Sequence, residues 1–243
     1  MNIYQQITRR SAEGKKQFAV LIDPDKETES SLISLCALAK KGAVDYFFVG
    51  GSLLTQDCID ACVATIKNVS DIPVVLFPGS VLQINHKADG LLFLSLISGR
   101  NADLLIGKHV VSAPMLKQSK LEVLPTGYML IDGGHPTSVS YMSNTTPIPA
   151  DKKDIAVCTA MAGELLGLKL IFMDAGSGAA HPVSEVMIAA VKKAVGIPLI
   201  IGGGIKTAAK AKAIFDAGAD IVVIGNAIES NRALINEIAA IIS

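Results

Sequence analysis

Residues 198–228 read PLIIGGGIKTAAKAKAIFDAGADIVVIGNAI, and their plan recurs along the chain. Residues 199–201 form a short aliphatic run of the kind buried on both faces of a parallel sheet. The run stops at Gly202, Gly203 and Gly204, where no Cβ keeps a ligand from the backbone N–H groups. Residues 206–217 carry Ala, Ile and Phe at helical spacing, with Gly218 as the stop. A second strand, 220–224, ends in Gly225 and Asn226 before another helix. Two such strand-glycine-helix units in succession match the closing units of a (β/α)8 barrel, whose loops after strands 7 and 8 commonly hold a phosphate. A single glycine pair would be a weak signal, read equally well as a tight turn. Two at the same end of neighbouring strands point to the ligand-binding face.

The chain has 243 residues, close to the roughly 250 of a one-domain barrel, and residues 1–243 are read as a single TIM-barrel domain because no linker or block of like charge divides them. Half of the residues are hydrophobic and 18% are charged, as expected of strands covered on both faces. Basic and acidic residues balance at 22 each, so nothing attracts nucleic acid or an anionic membrane in general, and any anion must be bound locally. No signal-peptide segment and no bilayer-length apolar run is found, so no integral membrane segment and a cytoplasmic location are expected. Cys36, Cys58, Cys62 and Cys158 lie among Ala, Leu and Val and read as reduced core residues. His86, His109, His135 and His181 have no partner at ligand spacing.

Eight strands are expected, with helices after seven of them. The first, 18–22, ends in Asp23-Pro24-Asp25-Lys26, where Pro24 stiffens the turn and sends the two carboxylates in different directions. A helix over 30–41 leads to strand 45–49 and Gly50-Gly51-Ser52, then to a helix over 55–67. Strand 73–77 ends in Pro78-Gly79-Ser80, and only VLQINHK separates it from strand 90–97, too little for a crossover helix. The fold class is therefore α/β, a (β/α)8 TIM barrel lacking the helix after strand 3. That gap offers an apolar groove or a subunit contact, or is filled by the following helix or a partner chain. A helix over 103–117 and a strand over 127–131 precede DGGHPTSVSYMSNTTPIPA at 132–150, a long aperiodic segment of the sort that forms lids and binding loops. A helix over 151–166, strand 169–173 with its ending Asp174-Ala175-Gly176-Ser177-Gly178, and a helix over 183–195 return to the opening stretch.

The strand ends together resemble a known family, the geranylgeranylglyceryl phosphate synthases and their bacterial relatives. LIDPDK, VGGS, NTTPIP, FMDAGSGA, IGGGIK and IGNAIE follow that family's order along essentially the whole chain, and the family's barrel also lacks its third helix. The resemblance implies that Asp23 and Ser52 help hold Mg2+. It implies too that Phe172, Met173, Asp174, Ala175, Gly176, Ser177 and Gly178, with Gly203, Gly204, Gly225 and Asn226, surround sn-glycerol 1-phosphate. Two positions depart from the commoner Tyr-Leu-Glu-Ala-Gly-Ser-Gly pattern: Phe172 has no hydroxyl to donate, and Asp174 reaches one methylene less than Glu.

The implied reaction joins a geranylgeranyl group, from its diphosphate, to the C3 hydroxyl of the acceptor and releases diphosphate. Asp174 and Asp23 are the catalytic candidates: Asp174 to accept the hydroxyl proton, Asp23 through the metal. Asp174 as a turn cap is the structural alternative. Lys26 and Arg100 are candidate cations for the leaving group. The long-chain prenyl diphosphate needs an apolar trough, expected near strands 2 to 4, and the uncovered wall suggests a homo-oligomer. Two alternatives keep the phosphate site: an isomerase or lyase of a phosphorylated small molecule, and a non-catalytic phosphometabolite-binding barrel. Strand-end carboxylates weigh against the latter, since without a metal they would repel a phosphate.

Overall fold

The structure, a computed structural model, describes residues 2–242. After a helix α1 (Ile3–Ala12), the chain runs through β1 (Gln17–Ile22), α2 (Glu29–Lys41), β2 (Tyr46–Val49), α3 (Ile59–Val69), β3 (Val74–Leu76) and β4 (Gly90–Leu96). It continues through α4 (Lys108–Gln118), β5 (Glu122–Leu130), α5 (Ser138–Ser143), α6 (Lys153–Leu165), β6 (Leu170–Asp174) and α7 (Glu185–Ala194). The remainder is β7 (Leu199–Gly202), α8 (Ala208–Asp216), β8 (Ile221–Ile224), α9 (Asn226–Ser230) and α10 (Leu234–Ile242). The strands pair in order, all parallel, and close β8 onto β1 with Gln17 opposite Ile221.

Alternation along each strand builds two cores. Ala19, Tyr46, Phe48, Val75, Leu92 and Phe172 fill the inside of the barrel. Their neighbours Val20, Phe47, Val49, Val74, Ile171 and Met173 point outward beneath the helices. Neither face is wet, which is why the strands read as unbroken apolar runs rather than alternating ones.

The amino-proximal end of the barrel is sealed by α1, an element not anticipated from the sequence. Ile3 and Ile7 enter the inner core, and the Glu122 carboxylate accepts the N–H groups of Ile3 at 2.6 Å and Tyr4 at 2.8 Å. Arg10 pairs with Asp45, whose other oxygen accepts the Phe18 N–H at 2.8 Å. Asp45 thus anchors α1 to the sheet and lies just ahead of β2, not within it.

Two further boundaries and the content of one loop differ from expectation for identifiable reasons. β5 begins at Glu122, not 127, because seven register pairs to β4 carry it through Pro125 and Gly127, residues of low strand propensity. α3 starts at Ile59, since Asp25 holds the preceding loop extended by accepting Thr55 N (2.6 Å), Thr55 Oγ1 (2.9 Å) and Gln56 N (3.3 Å). The aperiodic segment 132–150 contains α5, capped where Ser140 Oγ accepts the Thr137 N–H at 3.0 Å, and a single bridge of Ile131 to Ile148. The cysteines also divide. Cys36 and Cys62 are buried, Cys58 is half-buried and Cys158 is exposed. Apolar neighbours misled for Cys158 because α6 leaves an apolar face uncovered, with Ile155 50% and Leu165 86% exposed.

The expected gap is present: between β3 and β4 stands only a 3-10 turn, Val81–Gln83. One side chain does the stitching. Gln83, 4% exposed, accepts Gly51 N at 3.3 Å and Gly79 N at 3.1 Å through Oε1, and donates from Nε2 to Gly51 O at 2.8 Å. The loops after β2 and β3 are thereby joined with no helix between them. No helix among the described residues is long and apolar enough to cross a membrane. Removing the stitch loses three hydrogen bonds to the half-buried Gly51 and the exposed Gly79, at roughly 0.5–1.5 kcal/mol each. Gln83→Ala is therefore expected to lose about 2 kcal/mol in urea unfolding, and Leu82→Ala, at an 87% exposed neighbour, about 0.5 kcal/mol or less.

Candidate active site

A parallel barrel brings all its strand C-termini to one rim, and here they surround a single cleft of about 1270 Å3. Asp23 follows β1, Ser52 follows β2, Asp174 ends β6, Gly203 and Gly204 follow β7, and Gly225 and Asn226 follow β8; all line the cleft, as do Phe172, Gly176, Ser177 and Gly178. Met173 and Ala175 do not. Their side chains belong to the outer core, and the Ala175 N–H is committed to Gly202 O at 3.1 Å.

The glycines at this rim have steric reasons. A Cβ on Gly202 would lie 2.9 Å from Phe172 Cε2. On Gly203, whose φ is +79°, it would lie 2.5 Å from Asp174 Oδ1 and 2.6 Å from Gly176 N. The chain can fold its β6 and β7 ends this close only without side chains there. The N–H groups of Gly203, Gly204, Gly225 and Asn226 donate to no protein acceptor among the described residues, and Ser177 Oγ ties the loop after β6 to the one after β8 by donating to Asn226 Oδ1 at 2.9 Å. These groups suit an anion.

Asp174 is 8% exposed. Oδ1 accepts the Gly176 N–H at 2.8 Å, and Oδ2 accepts the Tyr128 hydroxyl at 2.6 Å. Burial raises its pKa above the ordinary carboxylate range, while Tyr128 and Gly176 pull the other way. Tyr128 is itself pushed well above the usual phenol value, by burial first and then by the Asp174 charge. Phe172 stacks on Phe77 with centroids 5.1 Å apart and meets Tyr128 edge-on at 5.5 Å, so its ring forms an aromatic floor beneath the carboxylate.

On the opposite side of the rim the two carboxylates after β1 do diverge. Asp25 is used up in holding the loop at Thr55, and that N–H chiefly lowers its pKa. Asp23 faces the cleft, 3.3 Å from Lys26 Nζ, which also meets Glu229 at 3.1 Å. Burial opposes the Lys26 charge, but Glu229 and Asp23 outweigh it and raise the ammonium pKa. Arg100 turns its guanidinium to Gly99 O at 2.7 Å and does not line the cleft.

Away from the rim the cleft becomes a trough. Leu54, Ile59, Ile84, Leu91, Phe93 and Leu116 line it where the absent helix would have packed. Val139 and Met142 of α5 form another wall, giving the long segment 132–150 a place at the cleft. His109, 8% exposed, sits edge-on to Phe93 at 4.4 Å and shares a hydrogen bond with Ser95 at 3.2 Å; burial lowers its pKa. Among the described residues no group of three or more His, Cys, Asp or Glu could hold a metal.

Sequence reading missed Tyr128, Gln83 and Glu229. Tyr128 looks like strand filler because Asp174 lies 46 positions onward, and Gln83 like turn filler because Gly51 lies 32 positions earlier. Glu229 stands in the quoted IGNAIE motif, and only barrel closure brings it to Lys26.

Known proteins resemble this chain along nearly its whole length. A protein of Chitinophaga pinensis called geranylgeranylglyceryl phosphate synthase is 58% identical over 237 residues, covering 98% of this chain and 94% of the relative. One of the same name from Methanosphaera stadtmanae is 39% identical over 229 residues, covering 94% and 93%. The crystal structure of (S)-3-O-geranylgeranylglyceryl phosphate synthase from Thermoplasma acidophilum, in complex with the substrate sn-glycerol-1-phosphate, superposes with a TM-score of 0.94 at 31% identity, covering 100% of this chain and 98% of that one. The model of the PcrB family matches residues 10–242, and with that reach the chain belongs to the PcrB family.

Proposed function

We propose that this protein transfers a geranylgeranyl group from geranylgeranyl diphosphate to the C3 hydroxyl of sn-glycerol 1-phosphate, releasing diphosphate. The observation that carries the reading is the continuity of one cleft, from unpaired backbone N–H groups past a buried carboxylate into an apolar trough. A phosphosugar isomerase or a simple phosphate-binding barrel has no use for such a trough. Relatives bearing the name of this activity, and a similar structure holding sn-glycerol-1-phosphate, support the assignment.

In this reading the acceptor's phosphate rests on the N–H groups of Gly203, Gly204, Gly225 and Asn226, with Ser177 beside it, and the 172–178 turn encloses the glycerol. Anchoring the phosphate fixes the hydroxyl near the prenyl carbon, and orientation of that kind can remove on the order of 7 kcal/mol from a barrier. As the allylic C–O bond breaks and the new ether C–O bond forms, the hydroxyl proton passes to Asp174. The trough takes the hydrocarbon, at about 0.8 kcal/mol per methylene buried.

The donor set fits Mg2+, a hard cation that needs one or two protein oxygens and keeps several waters. Asp23 and Ser52 face the cleft from adjacent loops, and Asp23 Oδ1 lies 3.9 Å from where a Cβ of Gly51 would stand. When bound, Mg2+ would neutralise charge building on the departing diphosphate. Lys26, 3.3 Å from Asp23, is a cation beside the same space; Arg100, facing its own loop, is not. We further propose a cytoplasmic enzyme that pairs with a second copy of itself through the exposed apolar positions Ile106, Val110 and Val111 (60%, 64% and 71% exposed).

Incubation with geranylgeranyl diphosphate, labelled glycerol phosphate and Mg2+, followed by organic extraction, tests the activity; label that stays in the aqueous phase would refute it. Chelation is expected to stop turnover and added Mg2+ to restore it. Asp174→Asn is expected to lower kcat by about 10^2-fold or more, the range for losing a general base, with little change in acceptor KM. Gly203→Ala, whose new methyl would collide with Asp174 and Gly176, is expected to raise acceptor KM roughly tenfold or more, equivalent to about 1.4 kcal/mol.

A further inference from the structure

We propose that Tyr128 is a positioning residue for Asp174, holding the carboxylate in its ionised form and aimed so that its remaining lone pairs meet the acceptor hydroxyl. The proposal rests on the role of Asp174 given above. β5 and β6 pair in register with Tyr128 opposite Phe172 and Leu130 opposite Asp174. Tyr128 therefore stands one inward-facing position below Asp174, and its side chain reaches up to Oδ2 at 2.6 Å. Phe172, the residue beside it, has no donor. An ionised carboxylate offers about four acceptor sites, and Tyr128 and Gly176 occupy one on each oxygen.

The surroundings explain why this one bond matters. A carboxylate buried in apolar surroundings tends to keep its proton, yet a general base must be ionised near the working pH. The elements packed around Asp174 bring no cation to it. β5 contributes Tyr128 and Leu130, β7 contributes Gly202 with Gly203 just beyond it, and the turn after β6 contributes Gly176. Lys26, Lys206, Asp23 and Glu229 line other walls of the cleft, and none of them governs its protonation. The Tyr128 phenol is the side chain that favours the charged form. A tyrosine kept only to fill space would need a partner for its hydroxyl but would leave the pH dependence of turnover alone.

The test is kcat/KM against pH for the full chain and Tyr128→Phe, with geranylgeranyl diphosphate, sn-glycerol 1-phosphate and Mg2+, folding being checked by thermal unfolding. Loss of the phenol raises the pKa of Asp174 further, so the acid limb is expected to move up by about one unit. Below the shifted limb kcat/KM falls by up to about tenfold, and it recovers as pH rises through that limb. An acid limb that does not move overturns the proposal, whether or not the rate has dropped. If Tyr128→Phe fails to fold, Tyr128→Phe/Phe172→Tyr, which returns a hydroxyl on the adjacent ring, decides: the parental acid limb supports the proposal, and an inactive folded protein overturns it. Asp174→Asn separates the two readings. Near-normal turnover there removes Asp174 and this proposal together, whereas an inactive Asp174→Asn beside an unshifted Tyr128→Phe removes the proposal alone.

Discussion

Closing eight parallel strands into a ring obliges alternate side chains to fill an enclosed interior while the others meet the helices. Once Tyr46, Phe48, Val75, Leu92 and Ile200 occupy the inside, position 174, in step with Leu170 and Phe172, must also point inward. An acidic group placed there has little water around it. Its surroundings are then set by the same alternation: Tyr128 reaches it from the neighbouring strand, and Gly202 and Gly203 clear the space that a Cβ would take. The reactive end of the cleft follows from how the ring closes.

The departure from regular architecture between β3 and β4 has the opposite character. A crossover helix would have covered the outward-facing Leu91 and Phe93. Instead a three-residue turn leaves them on the wall of the trough, and the amide of Gln83 ties together loops that the helix would otherwise have braced. Hydrogen bonds replace packing there, and the space set free is long and apolar. Gly50, at φ +145° with Phe77 O 2.3 Å from where its Cβ would be, shows how tightly the two loops are drawn together.

What the sequence made legible was whatever depends on neighbours along the chain. Buried strands appear as aliphatic runs, and the rim appears as glycines at fixed points after them, so the ring of strands and the set 203–204 and 225–226 could be located in advance. VLQINHK is too short for a helix, and that arithmetic needs no structure. What stayed hidden depends on distant partners. α1 is short and polar by composition, and it matters because Glu122 and the inner core receive it. The start of β5 runs through Pro125 because β4 holds it. α3 begins late because Asp25, some thirty residues earlier, restrains Thr55. Tyr128 has no local mark at all, since its meaning lies with Asp174, 46 positions onward.

The pairing of β8 with β1 joins positions about two hundred residues apart, as does the contact of Lys16 with Ala219 (a separation of 203). During synthesis the first strand therefore waits, with one hydrogen-bonding edge open, until some two hundred further residues have emerged. Assembly of this topology is slow for its size, and the interval before closure is when the nascent chain is most prone to self-association and most in need of a chaperone.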